Sequence, residues 1–460
     1  MPVNLIQFPE RPGYAEIAAV IVDGIARRSL TAGERLPPQR ELAHGLRVAV
    51  ATVGRAYAQL ERQGFVESHV GRGTFIAGGR PRLARGHAED GAAIAWPVDL
   101  ASYRVPVPPL QADLAETLRA ILAEQTPQRL LGSCPAAGHL AHRAAMAQFV
   151  RRLGVTAEPE QVVLTNGGQH AIMAALSTIT NTGELVATEA ITDPRMKAVA
   201  SYLDRPLVAV EFDGHGMLPD ALDRVCRDHR IAAVIVTPRA HNPTNSTMPA
   251  DRRAALIDVV ARHGLPLIES DIYGTILHDE VPPLAAMLPG QTHYITSLGR
   301  IAGPGMKLGC IVSPRGDVAR TCQGVAMSTG TATPMLAEIA ARWIVEGRID
   351  GMVRWQQAEN LRRVSLLETF AMLRGARAAA GSTHAWLPLP AAWRAEEFVS
   401  ASEAQGVLIA PSHSFAVGRT HLPHAVRLCI GAPGSIEQLQ AACTRLDRLL
   451  ATRPRTALAR

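Results

Sequence analysis

Lysine is nearly missing from this 460-residue chain. Lys197 and Lys307 are the only two, and the other 45 of its 47 basic residues are arginines. A guanidinium stays protonated up to a pKa of about 12 or more, so it is a poor nucleophile near neutrality. Chemistry that needs an amine therefore has two addresses at most. Aromatic residues are scarce too, at 4%, and charged residues make up 19% against 47% hydrophobic ones. That balance describes an alanine-rich globular chain with a large core, long enough for two or three domains. No apolar run approaches the roughly 18 residues of a membrane-spanning helix, so none is expected. The opening MPVNLIQFPERPG lacks a basic stretch followed by an apolar one, and no signal peptide is expected. The six cysteines (134, 226, 310, 322, 429 and 443) are scattered with no CxxC pair. Their spacing argues against a zinc site or a disulfide framework and fits a reducing cytoplasm.

The formal net charge is +6 and the pI about 9.2. Residues 1–85 hold twelve Arg against seven Asp or Glu, so nearly all the excess is N-terminal. A small basic module on a large, nearly neutral body suggests a polyanion partner at one end. Residues 14–28 place Ile17, Val20, Ile21 and Ile25 at helical spacing. Pro37 and Pro38 precede a short helix at about 39–46, and Arg47-Val48 reads as a turn. A second helix follows at about 50–62, with Val53, Ala56, Tyr57 and Leu60 on its inner face. FVESHVGRGTFIA then reads as two short strands with Gly71-Arg72-Gly73 at the tip. Helix, helix, turn, helix, hairpin is the order of a winged helix-turn-helix. The helix after the turn enters a major groove, where base edges are readable. Thr52 and Arg55 lie on its outward face, and Gln39 and Arg40 open the helix before it, where free N–H groups favour a phosphate. Arg72 at the wing tip, followed by Gly73 and Thr74, can reach a groove or the backbone.

The stretches AGERLPPQRELA (32–43), TVGRAYAQLERQGFVES (52–68) and GRGTFI (71–76) resemble the GntR family of bacterial transcription regulators over essentially the whole module. The resemblance implies binding to double-stranded operator DNA. The family has Gly in the turn and Ser-Arg at the start of the recognition helix, where this chain has Arg47, Ala49 and Val50. Arg47 is therefore expected to take over part of the contact made by that helix start.

Residues 78–98 (GGRPRLARGHAEDGAAIAWPV) are rich in Gly, Arg and Ala, have no periodicity, and read as a linker. Beyond them, helical patterns alternate with the short apolar runs VVLTN, LVATE, AAVIVTP, LPLIESD, YITSL and LGCIVSP. Such alternation means an α/β layer with a largely parallel sheet. From about 375 the pattern changes to a smaller α+β lobe.

Four stretches in this body carry candidate chemistry. TNGGQHAI (165–172) is a strand end, a glycine pair and a helix start, so Gly167, Gly168 and Gln169 can offer backbone N–H groups to a phosphate. HNPTNSTM (241–248) puts Asn242 at a strand's carboxyl end, where α/β sites form. ESDIYG (269–274) sets Asp271 and Tyr273 two apart, so both are expected to face one ligand. There a carboxylate could pair with a protonated pyridine nitrogen and a phenol could bond a ring hydroxyl. Arg427 in HAVRLCIG could clamp a carboxylate bidentately.

Together, and in this order, these stretches resemble the fold-type-I aminotransferases over about residues 100–450. A GntR head on such a body resembles the MocR-type regulators. The resemblance implies pyridoxal phosphate as cofactor and a homodimer whose DNA-binding domains sit on the partner chain. The expected architecture is α/β: a winged helix-turn-helix at 1–77, the linker at 78–98 and an aminotransferase-like domain at 99–455. That domain has a large lobe of mostly parallel sheet with flanking helices (about 130–345) and a small C-terminal α+β lobe (about 375–455).

The departures are as informative as the matches. The family's anchoring loop reads roughly S-x-S-K-x-x-x-P-G-x-R-x-G. In SLGRIAGPGMKLGC (297–310), Ser297, Pro304, Gly305 and Gly309 match. Arg300 stands at the Schiff-base lysine position and Lys307 at the phosphate-arginine position. EAITDPRMKAVA (189–200) has Asp193 where the family carries an aromatic that stacks on the pyridine ring, and Asn245 stands where many relatives carry Gly. Three readings follow. Covalent cofactor chemistry is lost and the body senses another ligand or only dimerises, with Arg300 and Asp193 pairing across the ring position. Alternatively, pyridoxal phosphate binds without a covalent link. In the third, Lys307 replaces the missing lysine, although seven residues along the loop should place it on the phosphate side. An active aminotransferase is the rival from another class, and it needs a lysine as anchor and proton shuttle. The expectation is therefore a cytoplasmic regulator that is not an enzyme, with no catalytic residue and no metal.

Overall fold

The computed structural model describes residues 12–26, 30, 33–62, 66–69, 73–76, 98–124, 130–277, 280–379, 381–418, 420 and 422–452. The chain divides into two compact units, residues 1–93 and 94–460. The expected linker falls almost wholly outside the described residues.

In the first unit α1 (Tyr14–Ala26), α2 (Gln39–Leu46) and α3 (Val50–Arg62) are followed by β1 (Val66–His69) and β2 (Gly73–Ile76). Ile17, Ile21, Val53, Ala56, Tyr57 and Leu60 are all buried in one core, as their helical spacing demands. The Tyr57 hydroxyl donates to the Pro37 carbonyl at 2.8 Å, tying α3 to the entry of α2. β1 and β2 pair antiparallel from Val66↔Ile76 to His69↔Gly73. The α2–α3 turn is closed by Arg47 at φ 53°, ψ 43°, in the left-handed region. That is a conformation glycine adopts freely and other residues adopt at some strain, which fits the Gly that the family resemblance implies for this turn.

The second unit is built on a seven-stranded sheet. Its strands are β3 (Val162–Thr165), β4 (Leu185–Glu189), β5 (Leu207–Val210), β6 (Ile231–Val236), β7 (Leu267–Ser270), β8 (Thr292–Ser297) and β9 (Gly309–Val312), and the spatial order is β3-β9-β8-β7-β6-β4-β5. All pairings are parallel except the two made by β9. The exception has a simple cause. Only residues 298–308 join β8 to its neighbour β9, too few for the crossover that a parallel pair needs. Most strand residues are buried, which is why the strands read as unbroken apolar runs. Helices α4 (Gly168–Ile179), α5 (Pro194–Tyr202) and α6 (Ala250–Arg262) follow β3, β4 and β6. A separate antiparallel sheet of Ala385–Pro388, Ala425–Leu428 and Ala410–Pro411, with helices Ala395–Ala404 and Ile436–Ala451, forms the smaller lobe.

Candidate functional site

In the first unit Gln39, Arg40, Arg47 and Arg55 are exposed and Thr52 is half-buried, so α2, its cap and α3 share a polar, cationic surface. Thr74 differs from its expected placement. It is buried on the same side of β2 as Ile76, because alternate strand residues face the core. Gly73 has a conformational reason of its own: φ is 110°, and a Cβ there would lie 2.7 Å from the Arg35 Nε. Arg72 lies outside the described residues.

In the second unit the carboxyl ends of β3, β4, β6, β7 and β8 converge on one cleft of about 190 Å³. Such ends are where open α/β sheets bind ligands. Of the residues singled out from the sequence, Gly167, Gly168, Gln169, Tyr273, Ser297, Arg300 and Lys307 line it, and so does Asp193. One side is the β3–α4 turn. Gly167, at φ 85°, is the N-cap of α4 and offers no side-chain cap, so the helix's first N–H groups stay available there. The end of the 298–308 loop and the start of β9 lie against this turn: a Cβ on Gly167 would meet the Lys307 Cα at 4.0 Å, and one on Gly309 would come within 3.1 Å of Gly167's carbonyl carbon. The loop's start is folded by Ser297, whose hydroxyl donates to the Leu308 carbonyl at 3.1 Å and accepts from Gly299 N–H at 3.3 Å. Lys307 is exposed at the loop's far end.

Arg300 occupies the middle. It is 8% exposed, and its guanidinium lies 4.1 Å from the Tyr103 ring centroid and 5.4 Å from that of Tyr273. Among the described residues it makes no side-chain hydrogen bond or ion pair, so its N–H donors are free to face the cleft. The expected Arg300–Asp193 pair is not formed. Asp193 caps α5, accepting from Arg195 N–H at 2.9 Å with Pro194 as the first helical residue, an arrangement helices favour. The Arg195 guanidinium returns onto the same carboxylate at 3.1 and 2.7 Å. The Tyr273 hydroxyl donates to it at 2.5 Å and Asn242 Nδ2 at 3.0 Å. Burial alone would push the carboxyl up, but the charge of Arg195 and these hydrogen bonds hold it well below the usual carboxylate range. Asp193 is thus a charged group whose attraction is already spent.

Asp271 corrects a second expectation. It does not share the cleft with Tyr273. Fully buried, it accepts both a bidentate contact from Arg239 (Nε to Oδ1 3.0 Å, Nη2 to Oδ2 closer) and the Tyr294 hydroxyl at 2.5 Å. Arg239 is itself 3% exposed. Asn242 and Arg427 also stand behind the lining. Arg427 donates to Asn242 Oδ1 at 2.9 Å and to the Ala101 carbonyl at 2.5 Å, so its role here is to orient Asn242. Asn245, at φ 59°, lies in the left-handed region that Gly and Asn adopt most readily, which fits the Gly that the family resemblance implies there. Its amide donates to the carbonyls of Arg377 and His384 at 3.1 and 2.7 Å.

The sequence reading passed over Tyr103, Arg195 and Arg239. Arg195 lies inside EAITDPRMKAVA and Arg239 between AAVIVTP and HNPTNSTM, each near a carboxylate or amide of the site, but spacing says nothing of which acid an arginine will reach. Tyr103 comes from a segment without a motif; its scarcity, one of six tyrosines, was the only signal. Lys197 donates from α5 to the Ser414 carbonyl at 3.0 Å and is absent from the lining.

Two family models match the chain: "Aminotransferase class I and II" over residues 97–446 and "Bacterial regulatory proteins, gntR family" over residues 13–76. The Bacillus subtilis protein named uncharacterized HTH-type transcriptional regulator YdeF is 27% identical over 441 residues, covering 96% of this chain and 95% of its own. The vitamin B6 salvage pathway transcriptional repressor PtsJ of Salmonella typhimurium is 28% identical over 418 residues, covering 87% of this chain and 93% of its own. Among solved structures, an archaeal alanine:glyoxylate aminotransferase superposes with a TM-score of 0.69 at 20% identity, over 77% of this chain and 90% of that one. With a gntR head, a class I and II aminotransferase body, and full-length relatives named as regulators, the chain belongs to the MocR-type DNA-binding transcription regulators, and its body carries the fold-type-I aminotransferase fold.

Proposed function

We propose that the aminotransferase-like body has lost covalent pyridoxal phosphate chemistry and works as a dimerising sensor for a small molecule, without enzymatic activity. One observation carries this reading: the residue that the family resemblance puts at the Schiff-base position, Arg300, is a buried guanidinium packed against two tyrosine rings. Neither lysine compensates. Lys197 is bonded to Ser414 away from the cleft, and Lys307 is exposed at the phosphate end of the loop.

Pyridoxal phosphate fits one half of this cleft and not the other. When bound, the group supplies an electron-accepting ring that needs a carboxylate at its nitrogen and a flat face to lie on. The phosphate half suits it: the uncapped start of α4 and the Lys307 ammonium attract a dianion. The ring half does not. Asp271, the carboxylate for a pyridinium, is closed off by Arg239 and Tyr294, and the stacking position holds the Asp193–Arg195 ion pair. The phosphate half, together with relatives named for vitamin B6 regulation such as PtsJ, supports the second reading, in which the cofactor binds by its phosphate without a covalent bond. No catalytic step is assigned to any residue.

For the whole protein the reading is a cytoplasmic homodimer whose reading heads sit on exchanged chains and recognise repeated half-sites of operator DNA. A ligand in the cleft would shift the population of head placements through the 78–98 linker. The experiment is selection of operator duplexes from a random pool, then binding measured with and without candidate ligands, pyridoxal phosphate included. The selected sites should contain two half-sites, and at least one ligand should change operator affinity. Indifference to every ligand removes the sensor and leaves a scaffold; amino-group transfer from any donor contradicts the non-enzyme reading. Arg72→Ala should weaken DNA binding and lower the salt slope by about one. Unchanged binding would exclude a contact from the wing.

A further inference from the structure

The cleft's own charges say what kind of molecule it takes, given that the body is a sensor at all. Its lining holds three cations and one carboxylate. Arg195 and Asp193 satisfy each other at 2.7 Å, and Asp193 already accepts from Tyr273 and Asn242 as well. Arg300 and Lys307 remain, and neither has an ion-pair partner among the described residues. They occupy different parts of the cleft. Lys307 lies beside the β3–α4 turn, where Gly167 leaves α4 uncapped and no acidic residue stands in the first turn. Arg300 sits further in, in the short turn of Leu298–Arg300 that follows β8.

The second site is built rather than incidental. A guanidinium that is 8% exposed has given up most of its water, and it has received no carboxylate in return. Its guanidinium carbon lies over the Tyr103 ring, 4.1 Å from the centroid, a cation–π contact worth about 0.5–2 kcal/mol. Among the described residues no acceptor meets its N–H donors, including the parallel pair along one edge of the guanidinium. A planar carboxylate matches that edge with two hydrogen bonds, whereas a single hydroxyl or carbonyl would leave donors unmet. The groups that would suit an aromatic cation are closed, by Arg239 at Asp271 and by Arg195 at Asp193. No uncompensated anion is left in the lining for a ligand ammonium.

We propose that the cleft is a receptor for a small aliphatic anion with a phosphate at one end and a carboxylate at the other. The phosphate sits on the Gly167–Gln169 turn beside Lys307, and the carboxylate meets the edge of Arg300. This proposal rests on the sensor reading above but names a different ligand class from the cofactor of related folds.

The test is calorimetric titration of the full-length protein with phosphoglycerate, inorganic phosphate and pyridoxal phosphate. Phosphoglycerate should bind about tenfold or more tightly than phosphate, the worth of one charge-assisted carboxylate contact. Arg300→Leu should abolish that advantage while keeping phosphate binding, and Arg300→Lys, which keeps the charge but not the fork, should retain part of it. Lys307→Gln should weaken both ligands alike; because Lys307 is exposed, this variant keeps the test alive if Arg300→Leu fails to fold. Equal affinity for phosphoglycerate and phosphate, or a wild-type preference for pyridoxal phosphate, overturns the proposal. Operator binding separates it from its premise. Phosphoglycerate that binds but leaves operator affinity unchanged contradicts the sensor and supports the ligand class. Pyridoxal phosphate that alone binds and shifts operator affinity supports the sensor and overturns the ligand class.

Discussion

The two halves of the cleft differ in how they spend their charges. On the phosphate side, the start of α4 and Lys307 present positive potential that nothing in the lining neutralises. On the ring side, every acid is matched: Asp271 by Arg239 and Tyr294, Asp193 by Arg195, Tyr273 and Asn242. An open half keeps its charge unmatched; a closed half contributes to holding the fold. One cleft thus combines unmatched positive charge with a structural network, and Arg300 stands where the two meet.

The comparison breaks most sharply at Asp271. Asp271→Leu leaves the Arg239 guanidinium buried without a counter-charge, which should cost about 3–5 kcal/mol of unfolding free energy by denaturant titration. The double variant with Arg239→Leu should recover a large part, since a well-packed apolar pair replaces a buried ion pair at little net cost. A loss of under about 1 kcal/mol in the single variant would mean the pair is not a structural closure. Asp193→Ala comes next, at about 1–2 kcal/mol, because it removes a helix cap and releases Arg195, which is partly exposed and can turn to water. The Asp193 side chain is 14% exposed against 0% for Asp271, and equal costs for the two variants would mean that this difference does not matter.

The smallest effect is a pH dependence at Lys197. Burial pushes its amine down to about 8 from the usual 10.5. Below about pH 8 both folded and unfolded chains carry the proton and the burial penalty is fully present. Between the two values the unfolded chain still binds a proton that the folded one has released, so stability rises with pH across that window. Lys197→Met should flatten the rise in a series of thermal melts. A wild-type curve with no rise there would place Lys197 in water.

Much of this was legible in the sequence. The head could be read because its signals are local: Ile17 and Ile21 one turn apart, Val53, Ala56, Tyr57 and Leu60 on one face, and a hairpin tipped by glycines. The sheet could be read because buried strands are continuous apolar runs. The departure of the 297–310 loop was plain as soon as two lysines were counted. What stayed hidden was pairing. Asp271 and Tyr273 are two apart and should share a face in a regular strand, yet β7 ends at Ser270 and the backbone turns before Tyr273. Asp193 looked like a bare charge in a stacking position until its partner Arg195 was seen closing a helix cap. Which arginine reaches which acid is decided by the packing of segments far apart in the chain, as with residues 239 and 271, and no spacing rule carries that information.

The central claim is that this cleft holds no covalently bound cofactor. It is tested most directly by incubating the full-length protein with pyridoxal phosphate, reducing with borohydride, and mapping adducts by peptide mass spectrometry. The account predicts a visible spectrum equal to that of free pyridoxal phosphate and no reduced adduct on either lysine. A stoichiometric adduct on Lys307 would contradict it.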